Sequence, residues 1–460
     1  MKIKKFLDIY ISLVITIILT VFASIALYGK YGIDVYISFL CVIISNMILM
    51  LNCFKNKDNY FEIIILSFYT LFFIIAPILQ ISKYKFPTTF LIREDYLVIA
   101  NICNFVFMIS YIFFRYINLN KYKTILNTKK EEKILDFKLN KLTIMFMCII
   151  FLTYFIPNFK DIIYQILNRT STDGESLNQV SHLIINKFIM FIPLLFVYYF
   201  INEYRVTKEK KYIMLIIIWF IILLICKNPF NEKRNALGPI YLSIILYIYM
   251  DRINPRTIYI IFTTVFIVFL PITSLITHTE YGLNSIVYAF KDGFNSDIIM
   301  KQFFELHFDA YANLNAAIEY VKLNGISYGI QLIGSILFFI PRSIWNMKPL
   351  SSGIVTGNYL MQNYSFHFNN LSCPITAEGY YNFGIVGVIF LAFLLSKLSK
   401  KVKQMSKYNS YYRLLACYII VHLFFLMRGD LMNGIAYLIG PMCALYFLPQ
   451  SLNKIFKCII

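Results

Sequence analysis

A few side chains in this sequence have types and contexts that could do chemistry. Arg234 lies in "NPFNEKRNALG", Arg342 and Lys348 lie in "IPRSIWNMKPL", and Arg428 lies in "LMRGDLMNG". A guanidinium presents parallel N–H donors that match the oxygens of a diphosphate, which an ammonium point charge cannot copy. His307 and Asp309 fall in "FFELHFDAYANLNAAIEYV", and Glu378 in "SCPITAEGYYNFG". Each of these three could take a proton from a hydroxyl. We rank Glu378 first, then His307, then Asp309. Together the set suggests attack by a hydroxyl with departure of a diphosphate. Plain structural readings stand beside this one. An arginine at the end of a membrane span can snorkel to lipid headgroups, Trp345 can be an interface aromatic, and the acids can pair with the arginines.

Other chemistries lack their residues. There is no Gly-rich phosphate loop, no HExxH, no GxSxG in a strand–helix context and no Asp-x-Asp pair for a metal-bound nucleotide sugar. No metal and no cofactor are therefore expected. The nine cysteines include no CxxC. Cys41, Cys103, Cys148, Cys417 and Cys443 lie within apolar runs and read as small core residues, while Cys226 and Cys373 fall near one face without a pairing fixed by sequence.

The elements that must hold these residues are read from hydropathy. Of 460 residues, 59% are hydrophobic and 15% charged. That balance excludes an ordinary soluble domain and gives an all-α polytopic membrane protein. About twelve spans start near Phe6, Val35, Ile63, Tyr96, Leu142, Leu183, Tyr212, Ala236, Thr257, Tyr380, Leu414 and Leu431. The first run is too long for a signal-peptide core and reads as a retained span. Pro77, Pro193, Pro271 and Pro441 fall inside spans and should kink them.

The net charge of +19 is scattered through loops rather than gathered on a basic, aromatic surface, so nucleic acid is not an expected partner. Positive-inside topology accounts for it. "MKIKK", "KNKD", the segment from Lys121 to Lys141, "YRVTKEKK" and "SKLSKKVKQMSK" all fall on one side, taken as cytoplasmic, with both termini. The outer side then carries Pro157 to His182 and a much longer loop from Thr277 to Gly379. The expected division is 1–276 (nine spans), 277–379 (the outer loop) and 380–460 (three spans). Within the loop, Phe303, Leu306, Ala310, Leu314, Ala317 and Val321 recur at helical spacing, with Glu305, Asp309 and Asn313 as a polar row on another face. "YGIQLIGSILFFI" is too short to span and could lie in the interface or dip into it.

In layout, and in the segments Arg234 to Gly238 and Ile340 to Leu398, the chain resembles the bacterial oligosaccharide repeat-unit polymerases, the Wzy-type O-antigen and capsule polymerases. The "PR…W…KP" and Glu-Gly-x-x-Asn-Phe-Gly-x-x-Gly pieces carry the resemblance. Arg342 to Gly353 also fits an Arg-x10-Gly pattern of some members, whereas Arg234 is followed at that spacing by Ile245. The resemblance implies a membrane-embedded, metal-independent glycosyltransferase of GT-C type in the bacterial plasma membrane. It would pass a glycan from undecaprenyl diphosphate to the next lipid-linked repeat unit on the outer face, making O-antigen or capsular polysaccharide. The lipid bilayer and the undecaprenyl-diphosphate-linked oligosaccharide are the expected partners, and a chain-length regulator protein is a candidate one. On this view Arg234, Arg342, Arg428 and Lys348 face the diphosphate and Trp345 anchors their loop. An O-antigen ligase shares the donor. A lipid-linked oligosaccharide flippase is the alternative from another class; the near absence of charge within the spans, with polar residues crowded on one face, speaks for the enzyme.

Overall fold

The structure, a computed structural model, describes residues 2–54, 58–88, 90, 92–128, 139–168, 188–229, 234–278, 296–408 and 410–459. Among the described residues every regular element is helical. Eight helices are long and apolar enough to cross a membrane: Leu7–Leu27, Ile33–Phe54, Tyr60–Lys83, Glu94–Asn118, Ile189–Thr207, Ile375–Lys407, Tyr411–Arg428 and Leu431–Phe456. The chain is thus a multi-pass, all-helical membrane protein. The other expected spans also fall on helices: Lys141–Phe155, Lys210–Cys226 and Arg234–Tyr249 are short, whereas Pro255–His278 runs 24 residues. A helix of 15 residues such as Lys141–Phe155 reaches only about 22 Å, short of a hydrocarbon core of roughly 30 Å. The expected start at Leu183, and most of the loop from Pro157 to His182, lie outside the described residues.

Two of the prolines expected to kink spans, Pro77 and Pro441, lie beside widened turns, while Pro271 lies within the helix Pro255–His278. A π-helical stretch, Tyr69–Ile75, ends directly before Ala76 and Pro77, and another, Cys443–Phe447, follows Pro441. Proline removes an N–H from the ladder, and a wider turn beside it absorbs the mismatch. Pro193 instead sits in the first turn of Ile192–Thr207, where its missing N–H has no partner to lose.

Contacts divide the chain into two compact units that do not follow chain order. The first is Met1–Lys130, Asp251–Lys403 and Leu423–Gly434, and the second is Glu131–Met250, Gln404–His422 and Ile435–Ile460. The described part of the long loop, 296–379, falls in the first unit with the first four spans. The second unit is built on aromatics. The Trp219 ring stacks on Phe196 at 4.1 Å, and the buried Tyr198 donates to Ser243 Oγ, or accepts from it, at 2.6 Å.

In the first unit the loop helix runs Ala310–Asn324, and its polar row does not form a solvated face. Instead, residues 310–319 are buried on every side, packed against Glu94–Thr128 and Ser352–Tyr364. Asp309 and Asn313 point into protein, and Glu305 lies before the helix. The alanines at 310, 312, 316 and 317 permit this close approach all round. Tyr359 donates to Glu319 Oε1 at 2.5 Å, with Tyr364 donating to the same oxygen, and so ties helix 352–364 to it.

Gly353 and Gly357 lie on one face of helix 352–364. A methyl at Gly353 would stand 2.1 Å from the Leu371 carbonyl oxygen, and one at Gly357 2.2 Å from that of Asn369. The pair lets the return segment 369–372 lie directly on the helix backbone, which sets the position of Ser372.

The Glu-Gly-x-x-Asn-Phe-Gly-x-x-Gly stretch, Glu378 to Gly387, is a bend between two helical pieces. Helix Ile375–Tyr408 breaks at Phe383 and Gly384, where Gly384 has φ 60° and ψ −143°, a region essentially open to glycine alone. The fold at this break brings Gly387 against the Gly379 carbonyl, 2.0 Å from where a Cβ would stand. Ser327 N–H donates to the freed Tyr381 carbonyl at 2.9 Å, and Ser327 Oγ to the same oxygen at 3.1 Å. Asn382 Oδ1 accepts from Leu332 N–H at 3.4 Å. The glycines are close approaches and a bend, Asn382 is a brace, and Glu378 is left as the charged member.

Candidate functional site

Two polar layers stand at opposite ends of the first unit. They are 18 residues apart on one helix, Tyr60–Lys83, between Glu62 and Gln80, which is about 27 Å at 1.5 Å per residue. At the first end, Arg115 Nε donates to Glu62 Oε1 at 2.7 Å, Ser399 Oγ donates to the same oxygen at 2.7 Å, and Lys403 Nζ donates to Asn59 Oδ1 at 2.9 Å. This corrects the expectation of spans nearly free of charge with polar residues on one face only. At the second end, Gln80 Nε2 donates to the Phe303 and Phe308 carbonyls at 2.7 and 2.9 Å. These carbonyls lead to Asp309, so the candidate site lies in this second layer.

Its centre is the turn between the spans Tyr411–Arg428 and Leu431–Phe456. Arg428 Nη2 donates to Asp309 Oδ1 at 3.1 Å and to the Leu306 carbonyl at 2.7 Å. Asp309 is held in turn by Ser372 Oγ at 2.7 Å and Asn313 Nδ2 at 2.9 Å. The Phe72 ring lies 5.9 Å from the guanidinium. Arg428 Nε is buried with no hydrogen-bond partner. The guanidinium is thus aimed by a carboxylate that is itself fixed, yet it keeps donors to spare. Asp309 already accepts bonds from three residues, which suits it to position the guanidinium.

Glu378 belongs to a neighbouring cluster. It is fully buried; its Oε1 accepts from Leu431 N–H at 2.8 Å and its Oε2 from Ser352 Oγ at 2.7 Å. Asp430 caps the following helix, accepting from Asn433 N–H at 2.7 Å and Asn433 Nδ2 at 2.8 Å. Cys373 lies among these acids. Burial pushes its thiol well above the usual range, and Glu378, Asp430 and Asp309 push the same way. His307, in the 3-10 turn Leu306–Phe308, is half-buried and directly follows the residue whose carbonyl Arg428 grips.

The remaining expected residues are placed elsewhere. Arg342 is exposed, and its Nη1 and Nη2 donate to the Lys348 and Pro349 carbonyls at 2.7 and 3.2 Å. Lys348 Nζ donates to the Phe338 and Ile340 carbonyls at 2.5 and 2.9 Å, and burial, with Arg342 adding, pulls this ammonium below the usual lysine range. Both cations turn back onto their own loop. Trp345 is half-buried in that loop. Arg234 opens the helix Arg234–Tyr249 of the second unit, and its side chain lies outside the described residues.

Sequence reasoning brought Arg428 and Asp309 forward and offered pairing of the acids with the arginines as the structural reading, without fixing which acid meets which arginine. It also missed Asp430 and Ser352. The Asp430 spacing was readable, because Asp followed three residues on by a polar side chain marks a helix start. Ser352 carries no such signal, since a serine before a loop helix is unremarkable until Glu378 folds onto it.

Asp430 gives a test of this electrostatic picture. Burial raises its pKa above the ordinary 3.8, against the lowering by its Asn433 bonds. The folded state then keeps the proton to higher pH than the unfolded chain, so this group's contribution to stability falls as pH rises from the unfolded pKa through the folded one. Asp430→Asn keeps a capping oxygen and removes the charge. Its melting temperature should exceed that of the unchanged protein at neutral and alkaline pH, and the gap should close on acidification. A gap that does not vary with pH would contradict a buried charge here.

Compared with known proteins, the chain matches no family model, no curated protein and no solved structure.

Proposed function

We propose that the chain polymerises lipid-linked oligosaccharide repeat units into O-antigen or capsular polysaccharide. It would do so as a glycosyltransferase on the outer face of the plasma membrane, with both termini cytoplasmic. The observation that carries this reading is Arg428: a fixed guanidinium with unused donors, at one polar end of an apolar helical unit. Lysines crowd the other end, at 400, 401 and 403, so positive-inside bias puts Arg428 outside, where lipid-linked glycans are joined.

In this reading the bond between the donor sugar's anomeric carbon and the diphosphate oxygen breaks, and undecaprenyl diphosphate leaves. Arg428 takes up the charge that develops on it, and Asp309 holds the guanidinium in place. The acceptor hydroxyl forms the new bond and gives its proton to a base. Burial reorders the candidates. Glu378 has no open surface and both its oxygens are engaged, whereas His307 is half-buried and directly follows Leu306, whose carbonyl Arg428 holds. His307 is therefore the base, and Glu378 holds the Leu431 end of the turn. Arg342 and Lys348 are released from the diphosphate role by their loop bonds.

The glycans of a strain lacking the gene test the reading. Single-repeat glycans outside the cell support a polymerase. Long unattached chains would make it a ligase, and the absence of either outside would make it a flippase. With purified protein and lipid-linked repeat units, a chelator should leave chain growth unchanged, because arginine supplies the positive charge. A requirement for added Mg²⁺ or Mn²⁺ would overturn that part.

A further inference from the structure

The segment 329–350 is a closed knuckle. Helix Ile330–Ile336 starts after Gly329, whose φ is +85°, and the chain then turns back so that Pro349 rides on Gly334, its Cγ 2.5 Å from where a Cβ would stand. Four carbonyls in the turn, of Phe338, Ile340, Lys348 and Pro349, are taken by Lys348 Nζ and the Arg342 guanidinium. Local turns use others: Ile344 N–H and Trp345 N–H both donate to the Pro341 carbonyl at 3.1 and 3.0 Å.

What the knuckle turns outward is apolar. Phe339 is 67% exposed, Ile344 78% and Met347 89%, and Ile333 and Ile336 are exposed on the helix. No acidic residue occurs between Gly329 and Leu350. In water, loop carbonyls need no lysine, because solvent satisfies them at no cost in side-chain entropy. In lipid every backbone polar group must find a partner within the protein. Internally closed carbonyls beneath an apolar outer face, with basic residues and no acids, match an anionic lipid surface.

We propose that the 329–350 knuckle is a lipid-inserted, non-spanning element. Ile344 and Met347 enter the boundary between headgroups and acyl chains, and Arg342 and Lys348 act as internal staples that make its backbone soluble there. Its inner side meets the candidate site: Gly334 lies against Met432, and Leu332 N–H is bonded to Asn382. The knuckle therefore borders the Arg428 turn on the side open to lipid.

The test uses the full chain with Met347→Cys carrying an environment-sensitive fluorophore, the unsubstituted protein serving as the labelling blank. The protein is reconstituted in vesicles of phosphatidylcholine and phosphatidylglycerol. Nitroxide-bearing lipid should quench this label strongly and aqueous iodide weakly. Dominant quenching by iodide would place the knuckle in water. Quenching by neither would mean that protein covers it, and each result overturns the proposal. Replacing both Arg342 and Lys348 by alanine should shift quenching from lipid toward iodide, and no shift would overturn their role as staples. The readout involves no glycan, so it succeeds or fails separately from the polymerase reading.

Discussion

Arg428→Lys lowers chain extension by about 10²–10³-fold, the cost typical of removing one fixed donor from a developing oxyanion, while the protein stays in the membrane at its usual level. Lysine keeps the positive charge and can still approach Asp309. It cannot hold Asp309 and the Leu306 carbonyl with one Nη and still present Nε and a second Nη to a diphosphate. The loss should therefore appear in the rate at saturating donor more than in donor binding. Gel profiles of products from purified protein measure it. Arg342→Lys is the contrasting variant: its fork serves its own loop, so lysine there should cost far less. The reverse ranking, with Arg342→Lys inactive and Arg428→Lys making normal long chains, would return the diphosphate to the outer loop and leave Arg428 a structural partner of Asp309.

The contrast between these arginines shows what sequence could and could not convey. Each of the twelve expected spans falls on or beside a helix, because apolar runs near twenty residues follow directly from bilayer thickness. The short spans were legible too: the apolar runs from Leu142 to Ile156 and from Ala236 to Met250 fall on the helices Lys141–Phe155 and Ala236–Tyr249. The helix Ala310–Asn324 was visible as periodicity, but its burial was not. A row of Asp309 and Asn313 beside alanines reads as a solvated face unless the partners are known, and those partners lie about 60 residues on, at Ser372, and about 120 on, at Arg428. For the same reason Arg342 and Arg428 looked alike. Sequence shows that a guanidinium is present, whereas its unused donors depend on which carbonyls fold against it.

The pairing of Glu62 with Arg115 was hidden by the same kind of distance, 53 residues, and it supports the second large effect. Glu62→Ala should destabilise the folded protein by about 3–5 kcal/mol, the usual cost of stranding one charge of a buried pair. Glu62 is 1% exposed and Arg115 11%, so little water can replace the lost carboxylate. Ser399 loses its acceptor as well, and Arg115 keeps only Asn59 Oδ1, which it shares with Lys403. Removing both charges is different in kind. Glu62→Leu with Arg115→Met fills similar volume and leaves no stranded ion, so the double variant should recover most of the loss. Thermal unfolding in lipid nanodiscs, followed for the single and double variants at one heating rate, reads both. The Arg428 guanidinium rests by Phe72, about 15 Å along that helix from Glu62, and bonds Asp309 and the Leu306 carbonyl rather than this layer, so the double variant should also keep near-normal chain extension. A Glu62→Ala protein that melts with the unchanged one would mean that Arg115 finds water or lipid headgroups instead, and the layer would then not act as a buried pin.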